Sequence, residues 1–295
     1  MSFDPNARLD PSQVEDVGRS GLGGRGVAFG GGGLGLAGIV VYLIISALSG
    51  GSSGNLGDLV NQSIGPGAAP TGTTLSQCRT GADANRSDAC RAIGYVNSVQ
   101  AYWRTSFAAS NRTYTPSVTV FFQDQLNTPC GFATTATGPF YCPADTHIYI
   151  DLGFFQQLHD TFGATAGSLA QGYVIAHEYG HHVQDMLGYL DRIKNDRLGP
   201  QSASVRSELQ ADCLAGVWAK HAVETGYLQP LTQANLDDAL NAAASVGDDR
   251  IQLKTSGRVD RESWTHGSAA QRQHWFSRGY ARGSLNGCDT WAGTV

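Results

Sequence analysis

The chain has 295 residues, 41% of them hydrophobic, which suffices for one large domain or two small ones around a packed core. Its net charge is -5, and with Lys194, Lys220 and Lys254 as its only lysines it has no basic run able to neutralise several phosphates, so nucleic acid is excluded as a partner. Many of the 38 glycines fall in the first third, a region poor in core-forming side chains.

Residues 1–26 mix Asp4, Asp10, Glu15 and Asp16 with Arg8, Arg19 and Arg25 without apolar periodicity, and read as a disordered tail. Residues 27–49 carry no charge and 34–48 are almost continuously apolar, which approaches the roughly 20 residues of a bilayer-spanning helix. No small-residue cleavage site of the signal-peptide kind follows. Three arginines precede this stretch and the next basic residue is Arg79, so the tail is expected in the cytoplasm and the rest outside it. The chain therefore reads as a single-pass protein of the cell membrane, touching membrane lipid through one N-terminal helix. Residues 50–84, rich in Gly, Ser, Thr and Pro, read as a flexible linker, and 85–295 as the functional domain.

Six cysteines in that setting point to disulfides. Several pairings are open; short loops favour Cys78 with Cys90 and Cys130 with Cys142, leaving Cys213 for Cys288. Thiolate ligation of a metal is disfavoured because no C-x-x-C spacing occurs.

Within the domain, residues 86–109 predict a helix whose Ala92, Val96, Val99, Tyr102, Trp103 and Phe107 form a core stripe. Residues 117–122 and 147–152 are β-branched and aromatic runs between turn residues, hence strands. Helices are predicted over 154–162, 164–188 with Gly188 as the stop, 203–226, 231–245 and 268–280 with Ser268 as cap. The fold class is α+β, mainly helical with a small sheet.

The predicted helix over 164–188 contains His177-Glu178-Tyr179-Gly180-His181, an H-E-x-x-H pattern. Histidines four apart share one helical face and offer two imidazoles to one zinc ion, while Glu178, one step round, stands beside the water such an ion activates. The metzincin continuation is absent, since Gln184 and Leu187 occupy its Gly and His positions. A third ligand is found after the break at Leu198-Gly199-Pro200, where Glu208 and Asp212 lie four apart on the next helix. Glu208 completes a His, His, Glu set with an open fourth position, and Asp212 accepts a hydrogen bond from a zinc histidine, orienting its ring. His182 points off the ligand face and reads as packed or capping; His147, His159, His221 and His274 fit no ligand spacing and read as structural or surface residues. Trp264 and Trp275 read as core.

H-E-Y-G-H-H followed by S-E-L-Q-A-D resembles the gluzincin clan of metallopeptidases, to which thermolysin belongs. G-F-A-T-T-A-T-G-P-F-Y-C-P from Gly131, I-Y-I-D-L from Ile148 and T-H-G-S-A-A-Q-R from Thr265 extend the likeness to the bacterial membrane-anchored neutral zinc metallopeptidase family. The resemblance implies a zincin-like domain holding one zinc ion through His177, His181 and Glu208. Glu178 is then the general base and His266 the candidate donor to the developing oxyanion, the other reading of His266 being a helix-entry histidine bonded to backbone. It also implies peptide or protein substrates, with the strand at 147–152 bordering the cleft. Two other readings stand beside this one. A catalytically idle, zinc-stabilised scaffold of the envelope would need no general base such as Glu178. Hydrolysis of a non-peptide amide of the deformylase kind would call for an upstream cysteine ligand rather than Glu208.

Overall fold

The computed structural model describes residues 2–18, 75–161, 163–164 and 168–295, and over them the chain is α+β and mainly helical. Four strands form one mixed sheet in the order β1 (Val14–Gly18), β2 (Thr119–Phe122), β6 (His147–Asp151), β5 (Phe140–Cys142). The first three run parallel and β5 is antiparallel to β6. Both faces of β2 and β6 are covered: Phe121, Ile148 and Ile150 enter the main core, while Val120, Phe122 and Tyr149 enter a smaller cluster with Phe140. Burial on both faces explains why these strands are continuous apolar runs rather than alternating ones. A separate hairpin, β3 (Gln125–Thr128) with β4 (Gly131–Thr134), is tied to β5 by the disulfide Cys130–Cys142.

The helices are α1 (Gly81–Ala84), α2 (Asp88–Ala109), α3 (Phe154–Asp160), α4 (Ser168–Met186), α5 (Ala203–His221), α6 (Gln233–Ser245), α7 (Asp248–Ser256) and α8 (Ala269–Arg282). Their ends follow local chemistry. Ser202 and Ser268 accept from the backbone N–H groups of Val205 and Gln271, and Ser268 forms a reciprocal capping box with Gln271. Gly188, at φ 72°, turns the chain just after α4. Helix α5 lies against both α4 and α8, and its contact with α8 depends on two glycines. A Cβ on Gly279 would overlap the Cys213 carbonyl oxygen, and one on Gly216 would overlap that of Phe276. The disulfides are Cys78–Cys90, Cys130–Cys142 and Cys213–Cys288, the short-loop pairing, with the last fastening the C-terminal segment to α5.

Several expectations are corrected. Residues 2–18 are not a disordered tail. Phe3 is 2% exposed, β1 is a strand of the main sheet, and Asn97 on α2 bonds both backbone groups of Asp10 at 2.8 and 3.0 Å. Polar composition concealed this because the segment is held largely through its backbone. The last part of the expected linker is ordered too: Cys78 and Ala84 are fully buried, and α1 is closed by a Thr80/Asp83 capping box. Helix α5 ends at His221, and one 3-10 turn, Ala222–Thr225, replaces the expected helical continuation to 226. The strand expected to border the cleft, 147–152, is not an edge strand, since β6 is flanked by β2 and β5; among the described residues the edge on that side is β5. The expected span at 27–49 lies outside the described residues, among which no helix is long and apolar enough to cross a membrane.

Replacing Gly279 by Ala forces α8 away from α5. The expected outcome is a loss of roughly 1–3 kcal/mol, read as a melting temperature lowered by several degrees in thermal unfolding.

Candidate metal centre

Helix α4 is buried almost all round from Leu169 to Gln184, so every ionisable group on it has to find a partner inside the protein. The rings of His177 and His181 lie 4.8 Å apart on one face. Between them in sequence, Gly180 leaves room for the backbone of α5: a Cβ there would stand 3.0 Å from Ala211 Cα. That close crossing carries Glu208, one turn before Asp212, between the two histidines. Its Oε2 is 3.1 Å from His177 Nε2 and its Oε1 is 3.4 Å from His181 Nε2. One ligand atom from each of the three buried residues lies within 4.8 Å of the others, a group able to hold a metal ion.

The donor set fits such an ion on two further counts. His177 Nδ1 faces Asp212 Oδ1 at 2.8 Å and His181 Nδ1 faces Gln184 Oε1 at 2.8 Å. These acceptors hold a proton on each Nδ1, so each Nε2 is the nitrogen left to engage a metal ion once it has given up any proton of its own. His181 Nε2 and Glu178 Oε2 are buried without a hydrogen-bond partner, an arrangement that costs free energy unless something else engages them. Two imidazoles and a carboxylate are a zinc ligand set. In the metal-free protein burial opposes a charge on His177, but Asp212 and Glu208 outweigh it and its pKa is pushed up to about 10. Burial opposes the charge of Glu208 as well, yet the facing histidines hold its carboxyl well below the ordinary value. Burial raises Glu178, partly offset by His177 and His181.

A second layer fixes these groups. Arg272 on α8 grips Asp212 with Nε at 2.8 Å and Nη2 at 3.0 Å, and Nη2 also donates to the Tyr173 hydroxyl at 3.1 Å. Tyr173 in turn donates to Asp212 Oδ1. Asp248, at the start of α7, accepts the backbone N–H groups of Thr265, His266 and Gly267 at 2.8, 2.7 and 3.0 Å, shaping the loop that presents His266. His266 Nε2 then lies 3.9 Å from Glu208 Oε1. Burial pulls the pKa of His266 down, so its ring is neutral near pH 7 and one nitrogen carries a proton to donate.

A cavity of about 90 Å³ opens onto these groups. His177, Glu178, Glu208, His266, Arg272 and Tyr173 are on its polar side; Phe154, Val174, Val246 and Ile251 are its apolar walls. Thr137, Gly138 and Pro139, which lead into edge strand β5, form another part of the wall.

The structure thus gathers His177, Glu178, His181, Glu208, Asp212 and His266 around one point. His182 stands elsewhere, its Nε2 on the Thr115 carbonyl at 2.8 Å and its ring against Tyr114 and Tyr141. His147 and His159 pair with Asp145 and Asp160, His221 caps the Gly283 carbonyl, and Trp264 and Trp275 are core. Sequence reasoning missed Arg272, Tyr173, Asp248 and Gln184. Arg272 was visible as an arginine on a helix face otherwise formed by Trp275, Phe276 and Gly279, a position that only an internal carboxylate makes tolerable. Asp248 gave no comparable signal, since its partners are backbone groups of a distant loop.

This geometry defines a protein with a two-helix, His-His-Glu candidate metal centre beside a buried glutamate. Residues 7–291 match a family described as "putative neutral zinc metallopeptidase", and the chain belongs to it. It is 51% identical over 228 residues to the uncharacterized protein Rv2575 of Mycobacterium tuberculosis, covering 75% of this chain and 76% of that one. It is also 42% identical over 198 residues to the uncharacterized protein YpfJ of Escherichia coli, covering 65% of this chain and 68% of that one. No solved structure matches.

Two outcomes are expected. Because His177 holds its proton up to about pH 10, zinc binding at pH 7 should expel at least about one proton per ion, and zinc affinity should fall as the pH falls. Calorimetry in buffers of different ionisation enthalpy measures this. Asp212→Ala should weaken zinc by about 10–100-fold in competition with a chromophoric chelator, because His177 loses the acceptor that orients it.

Proposed function

We propose that the chain is a zinc-dependent peptidase that hydrolyses peptide bonds of proteins or peptides outside the cytoplasm, where its three disulfides persist. The observation that carries this reading is Glu178: a buried carboxylate whose Oε2 has no partner, lining the cavity beside three converging ligands. When bound, zinc supplies a Lewis acid and lowers the pKa of a coordinated water toward about 7.

The chain's own residues do the rest. His177, His181 and Glu208 hold the ion. Glu178, its basicity raised by burial, takes the proton of the attacking water at its free Oε2 and later delivers it to the leaving amine. His266 is neutral and donates to the oxygen on which charge develops, and Arg272 adds a fixed positive charge at the cavity wall. Edge strand β5 offers backbone groups to an extended peptide, which favours affinity without strict sequence demand. The apolar walls exclude water from around the reacting groups and suit an apolar substrate side chain.

The competing reading, a zinc-stabilised scaffold, calls for a fourth protein ligand. Among the described residues three converge, and His266 stands one step further out, 3.9 Å from Glu208.

Substitutions separate the roles. Glu178→Ala should retain about one zinc per chain by metal analysis while peptide hydrolysis falls by roughly 10²–10⁴-fold. Glu208→Ala should lose most of its zinc and melt at a lower temperature, since binding energy is also folding energy. Full activity toward peptides in Glu178→Ala would remove the proposed mechanism.

A further inference from the structure

The N-terminal segment occupies a place shaped for it. Phe3 is buried against α2 where Gly94 has no side chain, and a Cβ at Gly94 would overlap the Phe3 ring; one at Gly81 would overlap the Asp4 carbonyl. Asn85 bonds both backbone groups of Phe3, its Oδ1 accepting at 2.8 Å and its Nδ2 donating at 3.0 Å. Asn97 does the same for Asp10, and Gln100 Nε2 reaches Gln13 Oε1 at 2.9 Å. Gln229 donates to the Ser2 carbonyl and Asp4 to that of Tyr227. Val14, Glu15, Asp16 and Gly18 then pair with Thr119, Val120, Phe121 and Phe122. The amides of Asn97 and Gln100 are buried on α2 and that of Asn85 stands just before it, and each would lose a partner if the segment left. The family match begins at residue 7, so it takes in β1.

This docking conflicts with a single membrane crossing between residue 18 and residue 75. A chain that crosses once leaves its two flanks on opposite sides, and flanks separated by a bilayer cannot share a sheet, whether within one copy or between two copies of the same orientation.

We propose that residues 2–18 and the domain formed by residues 75–295 lie on the same side of the membrane. The arginine pattern that places Arg8 and Arg19 in the cytoplasm expresses a bias on insertion; the paired strand and the buried Phe3 are requirements of the folded domain. The segment is therefore part of the catalytic unit, and a fragment beginning near residue 76 lacks an edge strand of its main sheet.

The test uses the full chain in intact cells, with single substitutions Glu15→Cys on the segment and Thr113→Cys on the domain, both exposed positions. A membrane-impermeant biotin maleimide is applied before or after permeabilisation, and the labelled site is read by peptide mass. The expected result is the same accessibility at both positions, whichever side that is. Labelling of one position only before permeabilisation and of the other only after it would overturn the proposal. A second measurement keeps the docking itself open to refutation: Phe3→Ala in the full chain should lower the melting temperature by roughly 10 °C, with Phe3→Leu recovering much of the loss. An unchanged melting temperature in Phe3→Ala would mean that the segment is not held by the domain, and the proposal would fall.

Discussion

The constraint on which the centre of this protein depends is that a buried charge must be paired. Asp212 is fully buried on α5; burial alone would raise its pKa, and Arg272 and His177 together bring it below the usual carboxylate value. Its two oxygens receive Arg272 from α8, Tyr173 from α4 and the ring of His177. One carboxylate thus joins three helices, and removing either charge of such a pair commonly costs about 3–5 kcal/mol because the other is left uncompensated. The same contact sets the tautomer of His177, which ties the packing of α8 to the chemistry of α4.

Polar pairing at this depth requires helices that come unusually close. Gly180 against Ala211 brings α5 onto α4, Gly216 and Gly279 bring α8 onto α5, and Gly172 admits the ring of Tyr95 from α2. At each crossing a missing Cβ replaces a spacing side chain, so short ligands such as Glu208 reach their partners without strain. Asp248 extends the scheme to a loop: three backbone N–H groups converge on one of its oxygens and fix where His266 stands. Rigid placement of donors before substrate arrives is what makes electrostatic stabilisation effective in such a site.

The sheet contributes an edge rather than a ligand. With β1 and β2 on one flank of β6, the sheet edge beside the cavity wall formed by Thr137, Gly138 and Pro139 is, among the described residues, β5. The first residues of the chain therefore bear indirectly on the site, by closing the far side of the sheet whose near edge faces it.

The sequence by itself was enough for the local features. The H-E-x-x-H spacing, the Glu208/Asp212 pair, the helix read over 86–109 and found at 88–109, the Ser268 cap and the short-loop disulfides are all set by periodicities or distances within a few residues to a dozen, where chain geometry leaves little choice. Tertiary structure alone decided the docking of residues 2–18, whose strand is held by backbone groups and amides remote in sequence. It also decided that β6 lies inside the sheet, because strand order depends on which neighbours the chain recruits from afar. The roles of Arg272 and Asp248 belong with these: each is defined by a partner 60 residues away in one case and by a loop's backbone in the other. A side chain's chemistry is written at its own position, but the charge or hydrogen bond that it satisfies exists only once distant segments have packed.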